Sequence, residues 1–286
     1  MATESKAPGE ADGIYQISGG LATFGPEMLA IREALEQRIL AWAAEIGARP
    51  MLFPPLIRAR DLSRFDYFLN FPHLAVVASR IRSEVLAERY AKGGDVDAIP
   101  PDDLSAGRYV LPSAACYNVY LHLEGAVLDA PCYITTVATC FRNENAYDEL
   151  QRLWSFSMRE IVCLGPAEEV KEHLRSFKER ISSFAAEIGL SLGTQFATDP
   201  FYQPQSSTAR MQKLFPQKEE FVYGGELAIA SLNFHRNFFG ERCNICMTDG
   251  APVFSGCVAF GLERWFHALL DRYQHNPERV LEALAL

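Results

Sequence analysis

Nowhere in the 286 residues does an apolar run reach eighteen, so the sequence offers no membrane-spanning helix. It also lacks any block of lysine and arginine, and its 27 basic residues are outnumbered by 36 acidic ones, for a formal charge of −9. Proteins that grip a nucleic-acid backbone do so largely by neutralising phosphates, so a large polyanion is not the expected partner. Seven cysteines are too few and too scattered for a disulfide framework, and their odd number suits a reducing, cytoplasmic setting. Only Cys243 and Cys246 form a CxxC; no second CxxC or histidine pair completes a structural zinc site, and the alternation around Ile245 reads as a strand. The first dozen residues, MATESKAPGEAD, lack the basic start and apolar stretch of a secretory signal. There is no low-complexity linker and no internal repeat. Residues 1–20 are expected as a flexible tail, and 21–286 as one domain with an inserted helical segment around 198–220.

What remains is 49% hydrophobic and 22% charged, ordinary for a globular chain that builds one large core. Met28, Ile31, Leu35, Ile39, Trp42 and Ile46 recur at helical spacing between Pro26, which suits a first turn, and Gly47, which suits a stop. PMLFPPLI (50–57) reads as a strand that Pro54 and Pro55 terminate. A second helix is expected over 71–92, ending at Gly93–Gly94. ACYNVYLHL and CYITTVATCF read as antiparallel strands joined by EGAVLDAP. LWSFSMREIVCLG is a further strand, and 167–188 carries Val170, Leu174, Phe177, Ile181, Phe184 and Ile188 on one helical face. Residues 198–220 read as a loop with a short helix, GELAIASLNFHRNFF as a strand, and VFSGCVAFGLERWFHALLDRY as strand, glycine turn and helix. The fold class is α+β, on an antiparallel sheet.

Two short motifs carry possible chemistry. In CFRNE (140–144) an arginine late in a strand can aim a fork of donors at a phosphate, while a nearby carboxylate can accept from an adenine amino group. In GLERW (261–265) a glycine lets a helix start close to a ligand, with Arg264 in the first turns, where the backbone dipole favours phosphate. In their order along the chain, the long helix with its proline-ended strand, FRNE with its loop and strand, and the ERW helix resemble the three signature motifs of class II aminoacyl-tRNA synthetases. The resemblance covers roughly residues 24–273. It implies a class II aminoacyl-tRNA synthetase-like, six-stranded antiparallel β-sheet flanked by helices, ATP bound in bent form with Mg2+, and a homodimer through the first helix and PMLFPPLI. It also implies Arg142 at the α-phosphate, Arg264 at the γ-phosphate and Glu144 on adenine. Arg152, Leu153 and Phe156 would surround the ring, Phe156 by stacking.

Within that class the chain is most similar to the seryl-tRNA synthetases, through CFRNE, LWSFSMREI and GELAIASLN. The methanogen-type seryl enzymes hold zinc in the amino-acid pocket by two cysteines and a glutamate. The matching positions are Cys116 in SAACY, Glu160 in SMREI and Cys257 in SGCVAFGLERW. The implied ion, one Zn2+ per subunit, keeps a coordination position open for the substrate amine. Glu226 would contact ATP or its magnesium, and Ser231 and Asn233 would line the pocket, although their spacing departs from the familiar serine–asparagine pair. His122 and His235 read as polar strand residues without a role.

Seryl-tRNA synthetases carry an N-terminal tRNA-binding domain, whereas the catalytic pattern here begins by about Phe24. With the charge of −9, this combination resembles the amino acid:[carrier protein] ligases, free-standing homologues of the methanogen-type seryl core. Those enzymes adenylate glycine or alanine and pass it to the phosphopantetheine thiol of a carrier protein. The expectation is therefore a ligase acting on ATP and a small amino acid. Its carrier would dock at Arg210, Lys213 and Lys218 beside Met211 and Leu214; Arg80, Arg82, Arg89 and Lys92 form the competing site. A tRNA-aminoacylating enzyme with its RNA-binding part supplied in trans, and a catalytically inactive binding module, are the alternatives.

Overall fold

A computed structural model describes residues 14–285. Strand β1 (Tyr15–Ser18) pairs with β2 (Leu21–Phe24) as a hairpin. It lies partly inside the stretch expected as a flexible tail, whose residues 1–13 fall outside the described ones. Helix α1 (Pro26–Glu45) has Pro26 in its first turn and Gly47, at φ +69°, just beyond its end. It buries the stripe Met28, Ile31, Leu35, Ile39 and Trp42.

The apolar run at 50–57 does not form the strand expected. Only β3 (Arg49–Pro50) joins a ladder before the prolines, which lack N–H donors, and β4 (Ile57–Arg58) resumes beyond them. Short helices α2 (Ala59–Arg64) and α3 (Tyr67–Asn70) follow. The helix expected over 71–92 is also corrected. A 3-10 turn at Pro72–Leu74 leads to β5 (Val76–Ala78), whose β-branched residues pair with β6 (Tyr109–Leu111), then to α4 (Ser83–Val85) and a π-helical turn at Leu86–Tyr90. That turn is held by polar contacts rather than by an apolar stripe: buried Asp103 accepts from Arg89 at 2.6 Å and from the Tyr90 hydroxyl at 2.7 Å.

ACYNVYLHL is a helix, α5 (Tyr117–His122), not a strand. Cys116, Val119, Tyr120 and Leu123 are buried together, and their spacing is that of one helical face. The rest follows as β7 (Val127–Leu128), β8 (Cys132–Phe141), β9 (Ser155–Gly165), α6 (Ala167–Glu187), β10 (Leu192–Ala197), α7 (Ser207–Leu214), β11 (Lys218–Tyr223), β12 (Leu227–Arg236), α8 (Phe238–Arg242), β13 (Cys246–Met247), β14 (Phe254–Gly261), α9 (Leu262–Arg272) and α10 (Pro277–Leu284). The expected loop at 198–220 is therefore shorter, because Lys218–Glu220 already belong to β11. The CxxC is not one strand either: Cys243 caps α8 and only Cys246 lies in β13.

The central sheet runs β10-β11-β12-β14-β9-β8-β3. Its first six strands are antiparallel, as expected; β3 adds a parallel edge. One face packs Ile161, Val258, Phe260 and Leu232 against α1, α6 and α9. Arg159 on that face reaches Glu36 of α1 at 2.8 Å. The opposite face carries Val162 and Cys257 towards α5 and α8, and it positions the site. Among the described residues no helix is long and apolar enough to cross a membrane.

His173 on α6 is buried between the Tyr133 and Phe177 rings, its Nε2 3.4 Å from the Ile161 carbonyl. Burial, opposed by that contact, holds the imidazole down to about 4. An unfolded histidine takes up its proton near pH 6.5, so this contribution is complete above that pH and is lost as pH falls toward 4. His173 alone is expected to account for a loss of about 2 kcal/mol between pH 7 and 5. Urea unfolding of wild-type protein and His173→Gln at the two pH values isolates it, because the variant should shrink the pH-dependent difference by about that amount while buried His235 contributes equally to both.

Candidate active site

Residues directly opposite one another in a sheet share a face, so the register lays two rows across the site. One runs Glu220, Ser231, Ala259, Glu160 and Thr136; the other runs Lys218, Asn233, Cys257, Val162 and Ile134. Over these rows opens a cleft of about 660 Å³, part of it solvent. Its walls include Arg142, Glu144, Gln151, Arg152, Leu153, Phe156, Lys218, Glu220, Ser231, Glu263 and Arg264.

Arg142 follows β8, its main chain held by the Trp154 carbonyl at 3.0 Å. Its guanidinium lies 4.9 Å from the centre of the Phe156 ring and donates to the Ser113 carbonyl at 3.4 and 3.3 Å. Arg264, in the first turn of α9, donates to the Gln151 carbonyl at 2.8 Å and the Ala228 carbonyl at 2.9 Å. Burial, and then the charge of Arg142, pull Arg264 below the ordinary arginine range. Two guanidinium groups in one cleft favour a polyanion between them. Beside Arg264, both oxygens of buried Glu263 accept from the Ser157 N–H at 2.8 Å, locking the start of α9 onto β9.

Further along the rows, Cys116, Glu160 and Cys257 are all buried, with ligand atoms within 4.8 Å of one another. The loop ending at Cys116 folds over Glu160: the Ala115 and Cys116 N–H groups donate to Glu160 Oε1 at 2.8 and 3.2 Å. Glu160 Oε2 is buried without a hydrogen-bond partner. A hydrogen bond with Cys257 pulls the Cys116 thiol down, but burial and the Glu160 carboxylate outweigh it and push it up to about 11. The same hydrogen bond, burial and Glu160 raise Cys257 well above the usual thiol range. A divalent cation would give the orphaned oxygen a partner and favour both thiolates. Two sulfurs and one carboxylate suit zinc, with one position left open.

The fold thus gathers Arg142, Glu144, Arg152, Leu153, Phe156, Ser231 and Arg264 around one cleft, and separately brings the Cys116, Glu160 and Cys257 side chains together. Glu226 is not among the cleft residues. It is exposed in the β11–β12 turn after Gly224 and Gly225, both at positive φ, and the carboxylate in the row is Glu220. Lys218, expected on a docking face, is the first residue of β11; it lines the cleft, 3.0 Å from Glu220 and 3.5 Å from Asp199. The Asn233 amide is already engaged, donating to Ser231 Oγ at 3.0 Å and Cys257 Sγ at 3.4 Å. No sequence motif marks Gln151, Glu220 or Glu263 as site residues. The two-residue alternation that puts Glu220 on the site face starts in charged residues that read as loop.

No protein-family model matches the chain. It is 30% identical over 281 residues to amino acid--[acyl-carrier-protein] ligase 1 of Bradyrhizobium diazoefficiens, covering 90% of this chain and 83% of that protein. Ligase 2 of the same organism is 31% identical over 296 residues, covering 96% and 85%. The type-2 serine--tRNA ligase of Methanopyrus kandleri is 24% identical, and the match spans 91% of this chain but only 55% of that enzyme. Among solved structures, M. kandleri seryl-tRNA synthetase, in complex with a tRNA from A. aeolicus, superposes with a TM-score of 0.79 at 22% identity. That match covers 93% of this chain and 57% of the other, and it shows a class II synthetase fold. With nearly its whole length aligned to two such ligases, the chain belongs to the amino acid--[acyl-carrier-protein] ligase family.

Proposed function

We propose that this chain adenylates glycine or alanine with ATP and passes the aminoacyl group to the phosphopantetheine thiol of a carrier protein. The observation that carries this reading is the continuity of one sheet face. Its rows run from a cleft with two half-buried arginines to a buried Cys–Glu–Cys trio. Arg142 and Arg264 hold the phosphates of ATP, Glu144 accepts from the adenine amino group, and Phe156 offers the base a ring face. Glu220, in place of Glu226, would be the carboxylate that holds the magnesium accompanying ATP.

Cys116, Glu160 and Cys257 would hold zinc, which supplies a Lewis acid for the substrate's free amine. The amino-acid carboxylate attacks the α-phosphorus and the bond to the departing pyrophosphate breaks. The arginines stabilise the charge that develops. The carrier thiol then attacks the carbonyl carbon of the mixed anhydride; a thioester forms, AMP leaves, and the thiol proton passes to solvent. Positioning supplies most of this second step, because the anhydride is already activated. Discrimination between glycine and alanine rests on one methyl group, worth about 1–3 kcal/mol. Pyrophosphate exchange across the small amino acids, with zinc-loaded protein, should be strongest with one of these two. Absence of exchange with every small amino acid would overturn the proposal.

Docking of the carrier is assigned to α7, where Arg210 and Lys213 flank exposed Met211 and Leu214. Arg89, in the competing basic stretch, is instead paired with Asp103. Carrier proteins are commonly acidic, and charge complementarity acts mainly on encounter. Reversing Arg210 and Lys213 to glutamate should raise KM for the carrier roughly tenfold or more while leaving pyrophosphate exchange unchanged. Homodimerisation through α1 and the 50–57 segment is supported by exposed Leu29 and Leu52.

A further inference from the structure

β12 does not stay in register to its end. Phe234 faces Gly256 and Arg236 faces Ser255, so His235 between them is a bulged residue without a ladder partner. Arg236 sits at φ +54°, a left-handed conformation that costs a non-glycine residue about 1 kcal/mol. Bulges of this kind re-aim a side chain and cluster beside functional sites.

Here the re-aimed ring is clamped. It meets Tyr120 and Phe239 edge-on, at centroid distances of 6.0 and 5.1 Å, and those two rings are themselves stacked at 3.9 Å. Nδ1 of His235 faces two hydroxyls, Tyr120 at 3.1 Å and Ser255 at 3.5 Å; Nε2 faces the Cys257 sulfur at 3.8 Å. A hydroxyl can donate to Nδ1, whereas a metal-bound thiolate can only accept. The tautomer that satisfies both ends therefore carries its proton on Nε2, an assignment made from the network.

We propose that His235 is a positioning residue for the metal centre: held by Tyr120, it donates Nε2–H to the Cys257 thiolate. It fixes the sulfur's direction and withdraws some of its charge, leaving the bound cation a stronger Lewis acid for the substrate amine. Asn233, two residues earlier on β12, donates to the same sulfur at 3.4 Å, so Cys257 is the more heavily supported of the two cysteines. This inference rests on the metal reading of the Cys116, Glu160 and Cys257 trio.

Cobalt(II) substitution of the full chain tests it, because the sulfur-to-cobalt charge-transfer band reports hydrogen bonding to the thiolate directly. Removing the donor in His235→Leu should move that band to longer wavelength and weaken metal affinity, measured by chelator competition, about 10- to 100-fold. His235→Gln keeps an N–H donor and should recover part of both. Tyr120→Phe leaves the core filled and the imidazole in place while releasing its tautomer, so it should shift the band less and in the same direction. If wild-type protein binds cobalt and the band and affinity are unchanged in folded His235→Leu and Tyr120→Phe, the inference is overturned while the metal reading stands. If wild-type protein takes up neither cobalt nor zinc, both are overturned.

Discussion

Cys257→Ala is expected to lose its zinc, from one ion per subunit to none, and to lower amino-acid-dependent pyrophosphate exchange by at least about 10³-fold. Cys257 is 2% exposed, and its sulfur lies with Cys116 and Glu160 inside a 4.8 Å cluster and accepts a hydrogen bond from Asn233. Without it, one sulfur and one carboxylate remain, too few to hold a catalytic zinc ion. The substrate amine would then have no fixed anchor, and the advantage of a pre-oriented carboxylate would go with it. The fold should survive, since trimming a buried cysteine to alanine removes a single sulfur from a core otherwise built of Val119, Tyr120, Val162 and Phe239. Metal analysis and the exchange assay on the same preparation decide the matter. A variant that keeps its full zinc content would show that Cys257 is not a ligand.

Arg264→Ala gives the complementary result, zinc retained and exchange lost by about 10²–10³-fold. The guanidinium donates to Gln151 and Ala228 carbonyls, so it is already aimed along the cleft before any ligand arrives. Deleting it also orphans those carbonyls, at a cost of about 1–3 kcal/mol if water does not replace it. Arg264→Lys separates the two effects. It keeps the charge but lacks the planar fork, so it should stay folded and still exchange below about a tenth of the wild-type rate. Full activity in the lysine variant would remove Arg264 from the phosphate-binding machinery.

Much of this arrangement was legible in the chain. α1, α6 and the β14–α9 unit could be read because a helical stripe or a strand run ends in each case at a glycine or proline. The Cys116, Glu160 and Cys257 set and the cleft arginines followed from family resemblance. Residues so far apart come together only through the strand order, which inserts β14 between β12 and β9, and no local pattern encodes that order. At 117–122 aromatic and β-branched content argued for a strand, yet burial of Cys116, Val119, Tyr120 and Leu123 made a helix. The helical spacing was present in the sequence and was outweighed by residue type. Glu226 lies outside the cleft lining and Glu220 within it, because a hairpin turn carries the first away from the sheet while cross-strand register turns the second inward. His235 was unreadable for a similar reason: a bulge, invisible in sequence, points it at Cys257.

This ligase is expected to end its reaction on a carrier-protein thiol. The most direct measurement incubates zinc-loaded protein with ATP and radiolabelled glycine or alanine, offering pantetheinylated carrier protein and tRNA in parallel. Label should accumulate on the carrier, be released by hydroxylamine as a thioester is, and be absent from carrier lacking the phosphopantetheine arm. Stable label on tRNA with none on the carrier would exclude the carrier thiol as the acceptor.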